Sequence, residues 1–466
     1  MPSQYLYKST GSLWRAANRV AYSSKGRKPI ERASKIAHAE IIKNPDVQSY
    51  LSRCVMPSAP TPEALHSRLG MLGDVDTSEV TAIIAVDGGY TETYVREEYP
   101  SASIAFFTFG PLLFELADLR ALDDRRFIAP EDLARLKNIE RYTLVLPLKG
   151  IRQEDEESLS GTIRRTIYEF FTRERADGDV LMTSLRWFLF RRWRPEEDYG
   201  SQTVERCPSG CGYGALHFRF SEPTEKVCPQ CAAPVYLTDV FRLHERVDEE
   251  MGAGGIVAYV MTMLEQLVLV HVIHNIIERI RPSLMRNIFF IKDGPLAFFG
   301  LVAPLYRPMR ELVEHLVSEP GGDAGPTLRL AGLEKSGSFV EHAAEIQDRL
   351  QPGSFLIVGD AYIRRHIVPG VASSAYGQNT YYGQKVLFRA PGGEMHVVTI
   401  PGRSYRAEPE ASDLPHLDEA LTLIGELRCS MYDNALIPVA LANKLVSLSD
   451  FPSQRILTAF AREGVQ

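Results

Sequence analysis

Cysteine is scarce, with six in 466 residues; four fall between positions 207 and 231, and Cys54 and Cys429 stand alone. A chain of this length buries a core without covalent staples, so a disulfide scaffold is excluded, and the two lone cysteines are expected to be small buried apolar residues. The usage suits a reducing, cytoplasmic setting. Positive charge is not in excess: the formal net charge is −7, which excludes a uniformly basic nucleic-acid coat. No G-x-x-x-x-G-K-[ST] loop occurs, so P-loop ATP hydrolysis is excluded. The opening MPSQYLYKST lacks the basic-then-apolar pattern of a signal peptide. There is no internal repeat, and no Pro- or Gly-rich stretch long enough to act as a domain linker. Long hydrophobic runs are also few. The one that matters, Ile256–Ile277, contains Glu265, Gln266, His271, His274 and Asn275. A carboxylate at mid-bilayer is costly, so this reads as a buried helix of a soluble protein, with no membrane partner.

What is present is ordinary globular composition, 45% hydrophobic and 24% charged, with an uneven charge. Residues 1–50 hold nine Lys/Arg against Glu31, Glu40 and Asp46. Such a basic arm on an acidic body is either a phosphate- or partner-contacting segment or a solvated helix. Residues 1–80 read as a helical, polar, basic N-terminal region broken near Pro57–Pro62. From 81 the pattern becomes α/β. Strands are expected at 81–86, stopped by Asp87-Gly88-Gly89, at 103–109, ended by Gly110-Pro111, and at 143–148, with a helix over 130–142. Residues 158–250 read as a helical, arginine-rich insertion carrying the cysteine cluster at about 205–235. After the apolar helix, strands are expected at 287–292, 327–334, 354–358, 384–389 and 395–400, and helices at 308–318, 338–350, 415–427 and 435–448. The units are therefore 1–80, a first core part 81–157, the insertion 158–250, and a second core part 251–466, built around one central mixed sheet.

Two strand ends look alike: IIAVDGGY around Asp87 and FFIKDGPL around Asp293. Each apolar strand delivers an aspartate to its C-terminal edge with glycine directly behind, which leaves room for a ligand beside the carboxylate. Asp-Gly is also a common turn. Paired carboxylates on adjacent strands suit hard cations such as Mg²⁺ or Mn²⁺, and one or two such ions can promote phosphodiester hydrolysis. A third acid would come from the apolar helix. Glu278 lies beside Arg279 and Arg281, where a solvated acid is expected; Glu265 lies among Met261, Met263, Leu264, Leu267 and Val268. A carboxylate there needs a buried partner, either a metal ion or a buried arginine, so Glu265 is preferred.

Cys207-x₃-Cys211 and Cys228-x₂-Cys231 have zinc-ribbon spacing, and CPSGCGYG and CPQCAAP supply the tight turns that aim two thiolates at one ion. Four thiolates leave no open position, so the expected zinc is structural. The segment 164–194 interleaves arginines with Tyr168, Phe170, Phe171, Trp187, Phe188, Phe190 and Trp193. This is either a single-strand groove or an amphipathic helix pair whose aromatics are core. His271 and His274 are read as core residues and not as ligands.

The order strand-Asp87-Gly, helix-Glu, strand-Asp293-Gly, then a late Pro-x-x-x-Ala helix resembles the NurA nuclease family. IKDGPLAFFG is the most specific segment and VDGGY supports it; the resemblance covers roughly 80–150 and 250–450. It implies an RNase H-like mixed sheet flanked by helices, interrupted by the four-cysteine ribbon. It also implies a manganese-dependent DNA nuclease acting on DNA ends as a homodimer with a HerA-type hexameric ATPase, in repair or antiviral defence. By resemblance Asp87, Glu265 and Asp293 fall on the metal-binding acids. Lys335 and Ser336 fall on a Lys-Ser pattern, with Lys335 neutralising developing charge, and Tyr381 and Tyr382 fall on an aromatic segment. PVALANKL departs from the pattern, carrying Asn443 where a histidine is expected. Alternatives of other kinds are a non-catalytic DNA-end adaptor and an RNA-directed nuclease. The ribbon itself contacts DNA or a partner, or braces the core.

Overall fold

The computed structural model describes residues 41, 43–95, 102–121, 141–175, 178–194, 200–318, 326–371, 373, 375–428, 436–446, 456–457 and 460–462. The basic arm expected over 1–50, most of the helix expected over 130–142, and Cys429 lie largely or wholly outside them. The chain divides into two units, Met1–Pro57 and Ser58–Gln466. In the first, α1 (Pro45–Leu51) starts at an N-cap, Asn44, whose Oδ1 accepts the Asp46 N–H at 2.8 Å. Cys54, expected to be buried, is exposed just beyond this helix, where no core reaches it.

The second unit begins with α2 (Pro62–His66) and β1 (Leu69–Met71), then the long hairpin β2 (Ala82–Tyr94) and β3 (Ser103–Glu115), α3 (Leu116–Ala121) and β4 (Tyr142–Lys149). Residues 158–250 hold α4 (Leu159–Thr172), α5 (Leu181–Leu189) and two small hairpins, β5 (Ser201–Val204) with β6 (Leu216–Arg219) and β7 (Glu225–Val227) with β8 (Pro234–Tyr236). There follow α6 (Val257–Asn275), β9 (Ile288–Asp293), α7 (Tyr306–Ser318), β10 (Arg329–Glu334), α8 (Ser338–Ile346), β11 (Ser354–Val358) and α9 (Asp360–His366). The described elements end with β12 (Gln384–Arg389), β13 (Met395–Ile400), α10 (Leu417–Glu426) and α11 (Ile437–Val446).

Nine strands form one mixed sheet in the order β1-β11-β12-β13-β10-β9-β2-β3-β4. The meander β2-β3-β4 is antiparallel, β9 runs parallel to β2, and β10 runs parallel to β9. A meander extended by two parallel strands is the RNase H-like arrangement, so the expected mixed α/β sheet flanked by helices is what the chain forms. Helices α4, α5 and α6 cover one face together with the insertion, and α10 and α11 cover the other.

Two expected strand ends are corrected. β2 does not stop at Asp87-Gly88-Gly89 but continues to Tyr94, and β3 runs through Gly110-Pro111 to Glu115. Gly88 serves packing, not turning: a Cβ on it would lie 2.2 Å from Met261 Cε of α6 and 2.9 Å from Phe109 Cβ. Pro111 is tolerated because β4 ends its pairing at Phe109. Beyond that point β3 is an edge strand on that side, and a missing N–H costs no ladder bond there.

α6 has no side-chain cap and is apolar all round, the pattern of a helix enclosed by other elements. Gly254–Ile280 is long and apolar enough to cross a membrane, but 72% of its most apolar window is buried inside the protein. Its two histidines are paired internally. His271 Nδ1 and His274 Nδ1 lie 2.8 and 2.9 Å from Ser184 Oγ of α5, and His271 Nε2 lies 3.1 Å from Asp179 Oδ2. These histidines tie α5 to α6 and are core residues. Trp187, Phe188, Phe190 and Trp193 are likewise buried, so the aromatics of the arginine-rich segment belong to the core of an amphipathic helix pair.

Burial pushes His271 down to about 4 despite its Asp179 neighbour. The folded protein therefore holds it neutral, while the unfolded chain protonates near pH 6.5. Its contribution is present above pH 6.5 and is lost as pH falls from there toward about 4, amounting to roughly 3 kcal/mol when complete. Urea midpoints should fall across that window, and His271→Gln should flatten the slope; an unchanged slope in the variant would assign the acid sensitivity elsewhere.

Candidate metal centre

The parallel register of β2 and β9 places Val86 beside Lys292, so the next residues, Asp87 and Asp293, emerge side by side. Asp293 in turn pairs with Leu333 of β10. The chain then doubles back over β10: Gly294 takes a positive φ of 81° and its N–H donates to the Leu333 carbonyl at 2.7 Å. Gly332 permits this, since a Cβ there would lie 2.7 Å from the Gly294 carbonyl oxygen. Lys335, just past the end of β10, reaches back, and its Nζ donates to Asp293 Oδ2 at 2.9 Å.

Strand alternation turns Lys292 to the opposite face of the sheet from Asp293, toward α6. There its Nζ meets Glu265 Oε2 at 2.9 Å and also donates to the Asp293 backbone carbonyl. Lys292 is 2% exposed and Glu265 9%. The buried partner that Glu265 requires is thus a lysine from the IKDG segment, neither of the partners anticipated from sequence.

Asp87 completes the group. Its Oδ1 accepts the Gly88 N–H at 2.7 Å, while Oδ2 is buried without a hydrogen-bond partner. Burial, with Asp293 and Glu265 nearby, holds its carboxyl well above the usual carboxylate range, partly offset by Lys335. Burial also raises Glu265, against the pull of Lys292. An orphaned buried carboxylate oxygen beside two further carboxylates is what a hard cation satisfies. After the pairs above, one oxygen of each acid remains: Asp87 Oδ2, Glu265 Oε1 and Asp293 Oδ1.

Asp87, Glu265, Asp293 and Lys335 lie close enough to act on one another electrostatically, but the oxygens of the three acids do not all come within 4.8 Å of one another. Glu278 lies elsewhere, exposed in the π-helical segment Ile276–Ile280 that continues α6, where it accepts the Trp187 Nε1–H at 2.9 Å. Ser336 is exposed. Tyr382 donates to Gln266 Oε1, and Gln266 Nε2–H donates to the Ala297 carbonyl at 2.9 Å, so the residue after Glu265 anchors the chain that follows Asp293. Tyr381 packs edge-on against Phe299, with centroids 5.6 Å apart. Asn443 is exposed on α11, a helix that packs on β2 and β3. Sequence reasoning missed Lys292 and a second buried ion pair, Lys385 with Glu334. The signal for Lys292 was available: a lysine in an apolar strand faces the same layer as Phe290 two residues earlier, and that layer holds α6.

In the ribbon, the Sγ atoms of Cys207, Cys211, Cys228 and Cys231 all lie within 4.8 Å of one another, the one such ligand cluster among the described residues. Burial pushes the Cys207 thiol up to about 12. Cys228 is held down to about 6: burial opposes this, but the N–H groups of Cys231 and Gln230 favour the thiolate. Backbone donors aimed at a sulfur from two tight turns make a four-thiolate cage for one ion.

Comparison with known proteins finds no matching family model and no matching curated protein. Among solved structures, the NurA nuclease from Sulfolobus solfataricus aligns over 93% of this chain and 97% of its own at 9% identity and a TM-score of 0.32. A structure of NurA with manganese aligns over 94% and 98% at 11% identity and a TM-score of 0.26. One of NurA bound to dAMP and manganese aligns over 94% and 97% at 12% identity and a TM-score of 0.24. At such scores the reading of the site rests on this chain's own residues.

Asp87→Asn should raise metal-free stability by about 0.5–2 kcal/mol, since it removes a strained buried charge. It should also abolish the thermal stabilisation that Mn²⁺ gives the native protein. Melting curves with EDTA and with Mn²⁺ check both; equal Mn²⁺ stabilisation of the variant would remove Asp87 from the site. Cys228→Ser should lose the one zinc per chain expected in the native protein and lower the soluble yield. Metal analysis finding no zinc in the native protein would overturn that expectation.

Proposed function

We propose that the protein is a metal-dependent DNA nuclease of NurA type. The observation that carries this reading is the buried, partnerless Asp87 Oδ2, under the electrostatic influence of Asp293 and Glu265, where the parallel pairing of β2 with β9 ends. The resemblance of VDGGY and IKDGPLAFFG to NurA segments supports it. Asp87, Glu265 and Asp293 would hold Mn²⁺ or Mg²⁺, and the ribbon cysteines would hold structural Zn²⁺. A hard cation there supplies an activated water and charge neutralisation at a phosphodiester.

The remaining chemistry belongs to the side chains. Asp87 and Asp293 are fixed by the register of their strands and need little reorganisation. Lys292 fixes Glu265 by pairing with one of its oxygens. Lys335, about 30% exposed and hydrogen-bonded to Asp293, stands where it can meet an incoming phosphate and offset charge as the leaving oxygen departs. The partners proposed with this activity are DNA, a second copy of this chain and a HerA-type hexameric ATPase. With no P-loop of its own, the chain needs a motor to feed it DNA. The proposed setting is cytoplasmic, in DNA-end processing or defence.

The purified native protein should degrade linear and single-stranded DNA with Mn²⁺, stop with EDTA, and spare matched RNA. Asp293→Asn should be inactive yet folded. Light scattering with and without the ATPase reports assembly. DNA binding without cleavage under every metal tested would replace this reading with a DNA-end adaptor, the role that the exposed Asn443 in place of a histidine favours. Preferential RNA cleavage would replace its substrate.

A further inference from the structure

Resting on that reading, we infer that the site takes one divalent cation per chain because the Lys292 ammonium already supplies a fixed positive charge beside Glu265. Two-metal nuclease sites hold two ions about 4 Å apart and need enough carboxylate charge to offset both. Here the three acids Asp87, Glu265 and Asp293 face two lysines, Lys292 and Lys335. The group carries a formal −1, which one divalent ion turns to +1 and two would turn to +3. A charge of +3 in a buried site has no compensation among the residues described around it.

Lys335 is partly exposed and can move aside for a phosphate. Lys292 cannot. Its backbone sits in the interior of the sheet, with Val86 of β2 on one side and Gly332 of β10 on the other. Its Nζ is held between Glu265 Oε2 and the Asp293 carbonyl, and α6 closes over it. The ammonium also takes one of the two oxygens of Glu265, so Glu265 has one left to offer and cannot bridge two ions. Lys292 is therefore a positioning residue. It fixes the rotamer of Glu265 and sets the number of ions the acids will accept.

Binding of Mn²⁺ to the full-length, zinc-loaded protein can be counted by the electron paramagnetic resonance signal of free Mn²⁺ during titration. The native protein should take up one Mn²⁺ per chain. Lys292→Arg keeps the cation and should also take up one. Lys292→Met removes the charge at similar volume and should take up two, the second weaker than the first. Two Mn²⁺ bound to the native protein, or one bound to a folded Lys292→Met variant, would overturn the inference. If Lys292→Met does not fold, Lys292→Gln, which also removes the charge, is counted in its place. Two ions together with metal-dependent DNA cleavage would defeat the single-cation site and leave the nuclease reading intact; no Mn²⁺ bound at all would defeat both.

Discussion

The parallel pairing of β2 with β9 is the constraint on which the rest depends. Because Val86 lies beside Lys292, the two aspartates that follow come out as neighbours, and the lysine before Asp293 is sent to the other face of the sheet. A slip of one residue would exchange the faces of every side chain on the strand: Lys292 would enter the layer of α10 and α11, and Asp293 would point at α6. The apolar residues around both acids oppose such a slip. Ile83, Ala85, Phe289 and Ile291 pack on one side of the sheet, and Ile84, Val86 and Phe290 on the other. The core therefore sets the geometry of the charged group.

The helix that closes the group is positioned by contact with glycine. Gly88 lets Met261 lie directly against β2, which lowers α6 until Glu265 meets Lys292. At the very next residue, Gln266, Tyr382 and the Ala297 carbonyl form a second buried polar link between the same helix and the segment leaving Asp293. The helix is otherwise held by apolar burial, which does not specify rotation about its own axis. These two polar links do specify it.

Much of this was legible in the sequence. Short β-branched and aromatic runs marked the strands, the pair of apolar-strand-Asp-Gly segments marked the acids, and the cysteine spacing marked the ribbon. The need for a buried partner separated Glu265 from Glu278. What stayed hidden depended on pairing across the sheet. A reading that treats each Asp-Gly as a turn has no means of knowing that Gly88 continues a strand because a methionine from a distant helix presses on it. Lys292 was passed over because a lysine at the end of an apolar run looks like a solvated strand terminus. Only its neighbours, Val86 and Gly332, show it to be interior. The aromatic-rich arginine helices were ambiguous for a similar reason: which face is covered is decided by α6 and the sheet, which lie elsewhere in the chain.

The insertion has a kinetic consequence. β2 and β9 are adjacent in space but roughly two hundred residues apart in sequence, a separation that makes their pairing slow to form. Until it forms, the meander β2-β3-β4 presents β2 as a long, apolar open edge, the kind of surface that captures other chains. The cysteine ribbon and its helices lie within the intervening stretch. A compact ribbon within that stretch shortens the flexible chain that must still be searched before β9 arrives, since the entropy of closing a loop grows with its flexible length. A module outside the paired strands would then govern how quickly the newly made chain hides its stickiest edge.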